Sequence, residues 1–100
     1  MKSSDSFERR NRLDVLYQIL LLCKEPQQKT QIMFKCNLSY KLLCKYMNFL
    51  VNSNLLKILN EGDKKYYQTT EHGEEFISEY EKLKNILDKA ARRKPPKQIL

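Results

Sequence analysis

The sequence is poor in the residues that make tight turns. Its 100 positions hold two glycines, three prolines and no tryptophan. An all-β protein needs many such turns, so their scarcity argues against that class. No apolar run approaches the eighteen or so residues of a membrane span. The opening Met1-Lys2-Ser3-Ser4-Asp5 leads into charge and does not read as a signal peptide. Cys23, Cys36 and Cys44 are odd in number and form no C-x-x-C. They match no zinc spacing and read as reduced thiols of a cytosolic protein, Cys23 and Cys36 on apolar stripes. There is no glycine-rich phosphate loop, and the one histidine, His72, sits at a helix start as a surface residue. These absences predict no enzyme, no metal, no cofactor and no evident small-molecule ligand. Acid is missing too, from Pro26 to Asn60.

What is present is a small core and much positive charge. Apolar residues make up 41% and charged residues 31%, enough to bury one core and too apolar for a wholly disordered chain. Nineteen Lys and Arg against twelve Asp and Glu leave a net charge of +7. That points to an acidic partner, nucleic acid ahead of an anionic membrane. Residues 31–53 carry Lys35, Lys41 and Lys45 with no acid. Residues 71–81 hold five glutamates, and residues 82–100 hold seven bases against Asp88 alone. The first stretch suggests a phosphate-facing surface.

The periodicity predicts helix, helix, helix, hairpin, helix. From about Ser6 to Lys24, Leu13, Leu16, Tyr17 and Leu20 form an amphipathic stripe that Ile19 and Cys23 widen. Ser4, Asp5 and Ser6 are its candidate N-caps, and Glu25-Pro26 stops it. A short helix follows over Thr30 to Cys36, with Asn37 as a left-handed stop. Ser39 caps a third helix running to about Asn52, buried through Leu43, Met47 and Leu50. Two helices joined by so short a turn, the second basic, read as helix-turn-helix. Leu55–Leu59 and Lys65–Thr69 flank a loop containing Gly62, which reads as a β-hairpin, the wing. The last helix starts at Thr70 with acids in its first turn and ends near Lys94-Pro95-Pro96.

In that last helix Phe76, Tyr80, Leu83, Leu87 and Ala90 alternate steps of four and three, the spacing of a coiled-coil seam. A helix packed on its own domain is the competing reading, which Ile77 and Ile86 favour by broadening the stripe. Acid in the first half and base in the second set unlike charges together only in an antiparallel pair. The same order also complements the helix dipole. An antiparallel homodimer is the preferred expectation. The expected organisation is residues 6–70 as a winged helix-turn-helix, 71–93 as a dimerisation helix and 94–100 as a disordered tail.

The run from Lys29 to Tyr40 resembles the K-T-x-I-M-x-x-x-N-L-S-Y signature of a group of archaeal winged-helix proteins. Leu43, Lys45-Tyr46, Phe49-Leu50 and Leu55-Leu56 continue the match. Tyr67 to Gly73 is similar to their Y-x-x-T-x-K-G, with His72 in place of the lysine. The family it resembles is that of the small basic DNA-binding proteins of Sulfolobus called the 10a type. The resemblance implies a mainly α protein with a small β-hairpin (α+β), a winged helix-turn-helix followed by a long C-terminal helix in an antiparallel coiled coil. It also implies DNA binding as a chromatin-like protein or regulator, in the cytoplasm on the nucleoid.

In a helix-turn-helix the second helix enters the major groove. Its outer candidates are Ser39, Tyr40, Lys41, Cys44, Lys45 and Asn48, with apolar Leu42 among them. Lys41 and Lys45 can reach phosphate or guanine, and Asn48 can read adenine. Tyr40 is equally a DNA contact or a partly buried core aromatic. Lys29, Thr30 and Gln31 open the preceding helix, whose N–H groups suit phosphate. Lys64 and Lys65 lie at the wing. Arg9, Arg10 and Arg12 fit phosphate contact or a solvated face equally. The recognition helix contains no arginine, the commonest specific reader of guanine, so weak sequence preference and phosphate-driven affinity are expected. The alternative is a protein–protein interaction module that uses the same surface without DNA.

Overall fold

A computed structural model describes residues 11–92. Among the described residues, four helices and one hairpin follow in order: α1 Arg12–Leu22, α2 Lys29–Lys35, α3 Tyr40–Asn52, β1 Leu56–Glu61, β2 Lys64–Thr69 and α4 Glu71–Arg92. The expected N-caps Ser4, Asp5 and Ser6 and the tail 94–100 lie outside the described residues.

Helix α1 begins at Arg12, later than the expected start near Ser6. Asn11 is the N-cap, its side chain accepting from the Asp14 N–H at 2.9 Å. That bond fills one of the donors a helix start leaves open, so the helix needs no earlier cap. The buried face is Val15, Leu16, Ile19, Leu20 and Cys23. Leu13, expected in the stripe, is 47% exposed. The stripe is rotated by about one position because α1 packs against α4 and the hairpin together.

The α2–α3 turn follows its sequence cues. Asn37 has φ 54°, and the Leu38 N–H reaches back to the Met33 carbonyl at 3.1 Å. Ser39 Oγ accepts from the Leu42 N–H at 3.2 Å and so caps α3. Leu43, Met47 and Leu50 point into the core on one face. They meet Ile19, Leu20, Ile32 and Leu56 in a single buried cluster.

The hairpin is tighter than its sequence suggested. The strands pair antiparallel from Leu56 opposite Thr69 to Glu61 opposite Lys64. The turn is therefore only Gly62-Asp63, with Gly62 at φ 63°, the left-handed region that favours glycine. One strand-like contact carried no sequence signal. Gln27 exchanges both backbone hydrogen bonds with Tyr67, at 3.0 and 2.8 Å. The buried hydroxyl of Thr69 donates to the Leu20 carbonyl at 2.7 Å, which ties the C-terminus of α1 to the wing.

Helix α4 starts at a latch. Thr70 Oγ1 donates to the Asn54 carbonyl at 2.7 Å and accepts from the Gly73 N–H at 3.0 Å. Ile77 is buried, and the Tyr17 and Tyr80 rings stack with centroids 4.6 Å apart. The Tyr17 hydroxyl donates to Glu81 Oε2 at 2.8 Å. That bond holds the phenol's pKa above its usual value, with burial and the charge of Glu81 adding to it. Beyond Glu81 every described side chain of α4 is exposed.

Candidate nucleic-acid interface

The basic ridge of α3 is the core of the site. Lys41, Lys45, Asn48 and Asn52 recur at i, i+4, i+7 and i+11 opposite the buried face, and all four are exposed. Sequence reasoning missed Asn52 because it lies at the end of the helix. Its signal was the same spacing that selected Lys41 and Lys45. Residues from Pro26 to Asn60 contain no acid, so nothing in this stretch neutralises the ridge.

The other expected positions divide. Tyr40 is 63% exposed, which removes the core reading. The Lys29 ammonium lies 5.8 Å from the centre of its ring, so the start of α2 and the start of α3 form one patch. Thr30 is exposed beside it. Gln31 is exposed, but its Oε1 already accepts from the Gln28 N–H at 2.8 Å. Its N–H donates to the Gln28 carbonyl at 3.0 Å, so Gln31 is a capping residue first. Ser39 is likewise occupied by its own cap. Cys44 is half-buried on the flank of α3, not on its crest.

The wing lysines are separated by the pleat. Lys65 stands opposite Asn60, and Lys64 stands opposite Glu61. Successive strand residues face opposite sides, so the two lysines cannot both meet a duplex lying on one side of the wing. Glu61 and Asp63 also match the two lysines in number, leaving the wing tip without net charge. The wing is a weaker cationic site than Lys64-Lys65 alone suggests.

The seam residues of α4 fall into two groups. Phe76 and Tyr80 are half-buried in their own domain, stacked at 6.2 Å, and Tyr80 stacks on Tyr17. Here the self-packing reading holds. Leu83, Ile86, Leu87 and Ala90 are exposed, Ile86 by 62%. Several acids also have partners within the chain: Glu74 with Lys24 at 3.7 Å, Glu79 with Lys82 at 3.5 Å and Glu75 with His72 at 3.3 Å.

A recognition-type helix, a two-strand wing and a long trailing helix are one arrangement, and a winged helix-turn-helix family model matches residues 9–88. The chain belongs to the winged helix-turn-helix family. Its similarity to the archaeal uncharacterized protein MJ0287 of Methanocaldococcus jannaschii is 31% identity over 81 residues, covering 80% of this chain and 79% of that protein. Its fold is similar to that of Sso10a-2, a DNA-binding protein from Sulfolobus solfataricus. The TM-score is 0.75 at 25% identity, over 83% of this chain and 87% of that one. This is the group that the Lys29–Tyr40 motif resembled. FabT of Streptococcus pneumoniae, crystallised with DNA, shares the fold at 12% identity and a TM-score of 0.62, over 96% of this chain and 74% of that one.

Proposed function

We propose that this winged-helix protein is a homodimer that binds double-stranded DNA, mainly through phosphate neutralisation and with weak sequence preference. The observation that carries the reading is the exposed Lys41–Lys45–Asn48 ridge on α3, in a stretch of chain free of acid. Lysine is a point charge that meets phosphate from many angles, whereas bidentate reading of guanine favours arginine. Lys29 and Thr30, beside the base of the ridge, supply further backbone contacts.

The dimer rests on the distal half of α4. Among the described residues, nothing covers Leu83, Ile86, Leu87 and Ala90, which are all exposed. Their pattern is nearly symmetric about the point between Ile86 and Leu87. An antiparallel crossing there brings Leu83 level with the partner's Ala90 and Ile86 level with the partner's Leu87. The acids that have partners within the chain reduce the weight of charge order, so the apolar segment carries the pairing. Two heads held on one α-helical rod suit an architectural or regulatory protein of the nucleoid.

The test is a titration of random-sequence and genomic duplexes across several salt concentrations, with the mass read by light scattering in the same buffers. The expected result is a dimer that binds all duplexes similarly. Its log affinity should fall with log salt by about 0.9 per phosphate neutralised. One strongly preferred fragment would overturn the weak-preference reading. A monomer that binds no duplex would overturn the proposal and leave the protein-docking alternative.

A further inference from the structure

Between the first turn of α1 and the flank of α3 runs an apolar trench of about 350 Å³. Its lining is Arg12, Leu16, Leu42, Lys45, Tyr46 and Phe49. Leu42 and Phe49 lie seven residues apart on α3 and are both exposed, at 44% and 51%. Leu16 forms part of the hydrophobic core and Tyr46 packs against it, so the trench has a fixed apolar base. The two charged residues of the lining, Arg12 and Lys45, are both cations. A pocket of this size, apolar with a few convergent polar groups, has the general character of a small-molecule site.

We propose that this trench binds a small amphipathic anion, an aromatic or medium-chain carboxylate, and that its occupation opposes DNA binding. The apolar body would lie on Leu16, Leu42 and Phe49. The carboxylate would meet both the Arg12 guanidinium, which can hold it through two parallel hydrogen bonds, and the Lys45 ammonium. Charge complementarity selects the occupant: both charged groups of the lining are cations, so an anionic head gains an attraction from each that a neutral ligand does not. The opposition to DNA rests on the proposed function. Lys45 stands on the basic ridge as well as in the trench lining, so one ammonium serves either a phosphate or the ligand.

The test uses the full chain and the fluorescent probe 8-anilinonaphthalene-1-sulfonate, an aromatic ring system bearing an anion. Binding is measured first without DNA, then displaced with 2-naphthoate and with octanoate, whose relative strengths distinguish an aromatic from an acyl ligand. Saturation at one probe per chain is expected. Phe49→Ser and Arg12→Gln should each weaken it about tenfold, the scale of losing one good pocket contact. Phe34→Ser, which removes an aromatic exposed by 81% away from the trench, should leave it unchanged. Amide shifts in a labelled protein should cluster on α1 and α3. Added 2-naphthoate should then raise the apparent Kd for a duplex in the wild type and not in Phe49→Ser.

Absence of saturable binding would overturn the site. So would equal binding by Phe49→Ser, shifts confined to α4, or nuclear Overhauser contacts showing that another segment or a second copy fills the trench. Saturable binding that leaves duplex affinity unchanged would uphold the site and overturn the opposition to DNA. Failure of every variant to bind duplex would defeat the proposed function while the probe titration still decided the site.

Discussion

Replacing Gly73 with alanine tests the way α4 is docked. In a free helix the change is favourable by about 1 kcal/mol, because glycine is a poor helix former. Here the added methyl has no room. It would stand 2.5 Å from Thr69 Cγ2 and against the backbone carbonyl oxygen of Leu55. The threonine sits in a buried position, and a backbone oxygen cannot rotate away. The same Leu55 carbonyl accepts from the Thr70 N–H at 3.1 Å. Relief therefore requires α4 to lift by roughly 1 Å, a scale at which overpacked cores force backbone shifts. That motion opens the two hydrogen bonds that tie Thr70 to the preceding loop, Thr70 N–H to Leu55 and Thr70 Oγ1 to Asn54. At about 1 kcal/mol each, with about 1 kcal/mol more for the overpacked contact itself, they outweigh the helix gain and leave a net loss of about 2 kcal/mol. For a domain of this size that lowers Tm by about 8–16 °C. Urea and thermal unfolding followed by circular dichroism measure it. Gly62→Ala is the control, since no atom lies within 4 Å of its added Cβ and only the φ of +63° penalises it. Its cost is about 1 kcal/mol. A Gly73→Ala variant as stable as the wild type, or more stable than Gly62→Ala, would refute the reasoning.

Other outcomes follow from the same structure. Lys41→Gln and Lys45→Gln should each weaken binding to all duplexes alike and reduce the log–log salt slope by about 1, as measured by fluorescence anisotropy. Leu87→Glu should shift the mass in sedimentation toward the monomer without lowering helix content, because that side chain is already exposed within the chain. Burial, with Cys36 adding, pushes the Cys23 thiol up to about 12, so at pH 8 Cys23 should resist a disulfide reagent until urea is added, and half-buried Cys44 should react first. Tyr17 should ionise later than an ordinary phenol in an alkaline absorbance titration, and Glu81→Gln should bring it back down. Because the folded-state pKa is raised, this contribution to stability is full below about pH 10 and is lost as pH rises through the raised value.

The elements themselves were legible where one local rule was enough. Asn37 and Ser39 stop and start helices through their own side chains and backbone, and the structure places them in those roles. Leu43, Met47 and Leu50 share a face by spacing alone. Spacing could not say where the faces of α1 and α4 point. Leu13 and Leu16 belong to one sequence stripe, yet Leu13 is exposed and Leu16 buried, because α4 and the wing set the rotation of α1. Likewise Phe76, Tyr80, Leu83 and Leu87 form one seam in the sequence. Tyr17 captures the first part, and the remainder is left bare.

The candidate site divides in the same way. Sequence alone determined that a basic, acid-free helix-turn-helix would carry a ridge through Lys41, Lys45 and Asn48. Charge and helical period are properties of a single segment. Only the tertiary structure decided that Gln31 and Ser39 are occupied as caps, that Lys64 and Lys65 face apart and that Lys29 reaches Tyr40. It alone brought Arg12 and Leu16 opposite Leu42, Lys45 and Phe49 to make a trench. Residues some thirty positions apart meet there because burying Ile19, Leu20 and Leu43 in one core fixes how α1 and α3 cross. That packing belongs to the assembled chain and to no segment of it.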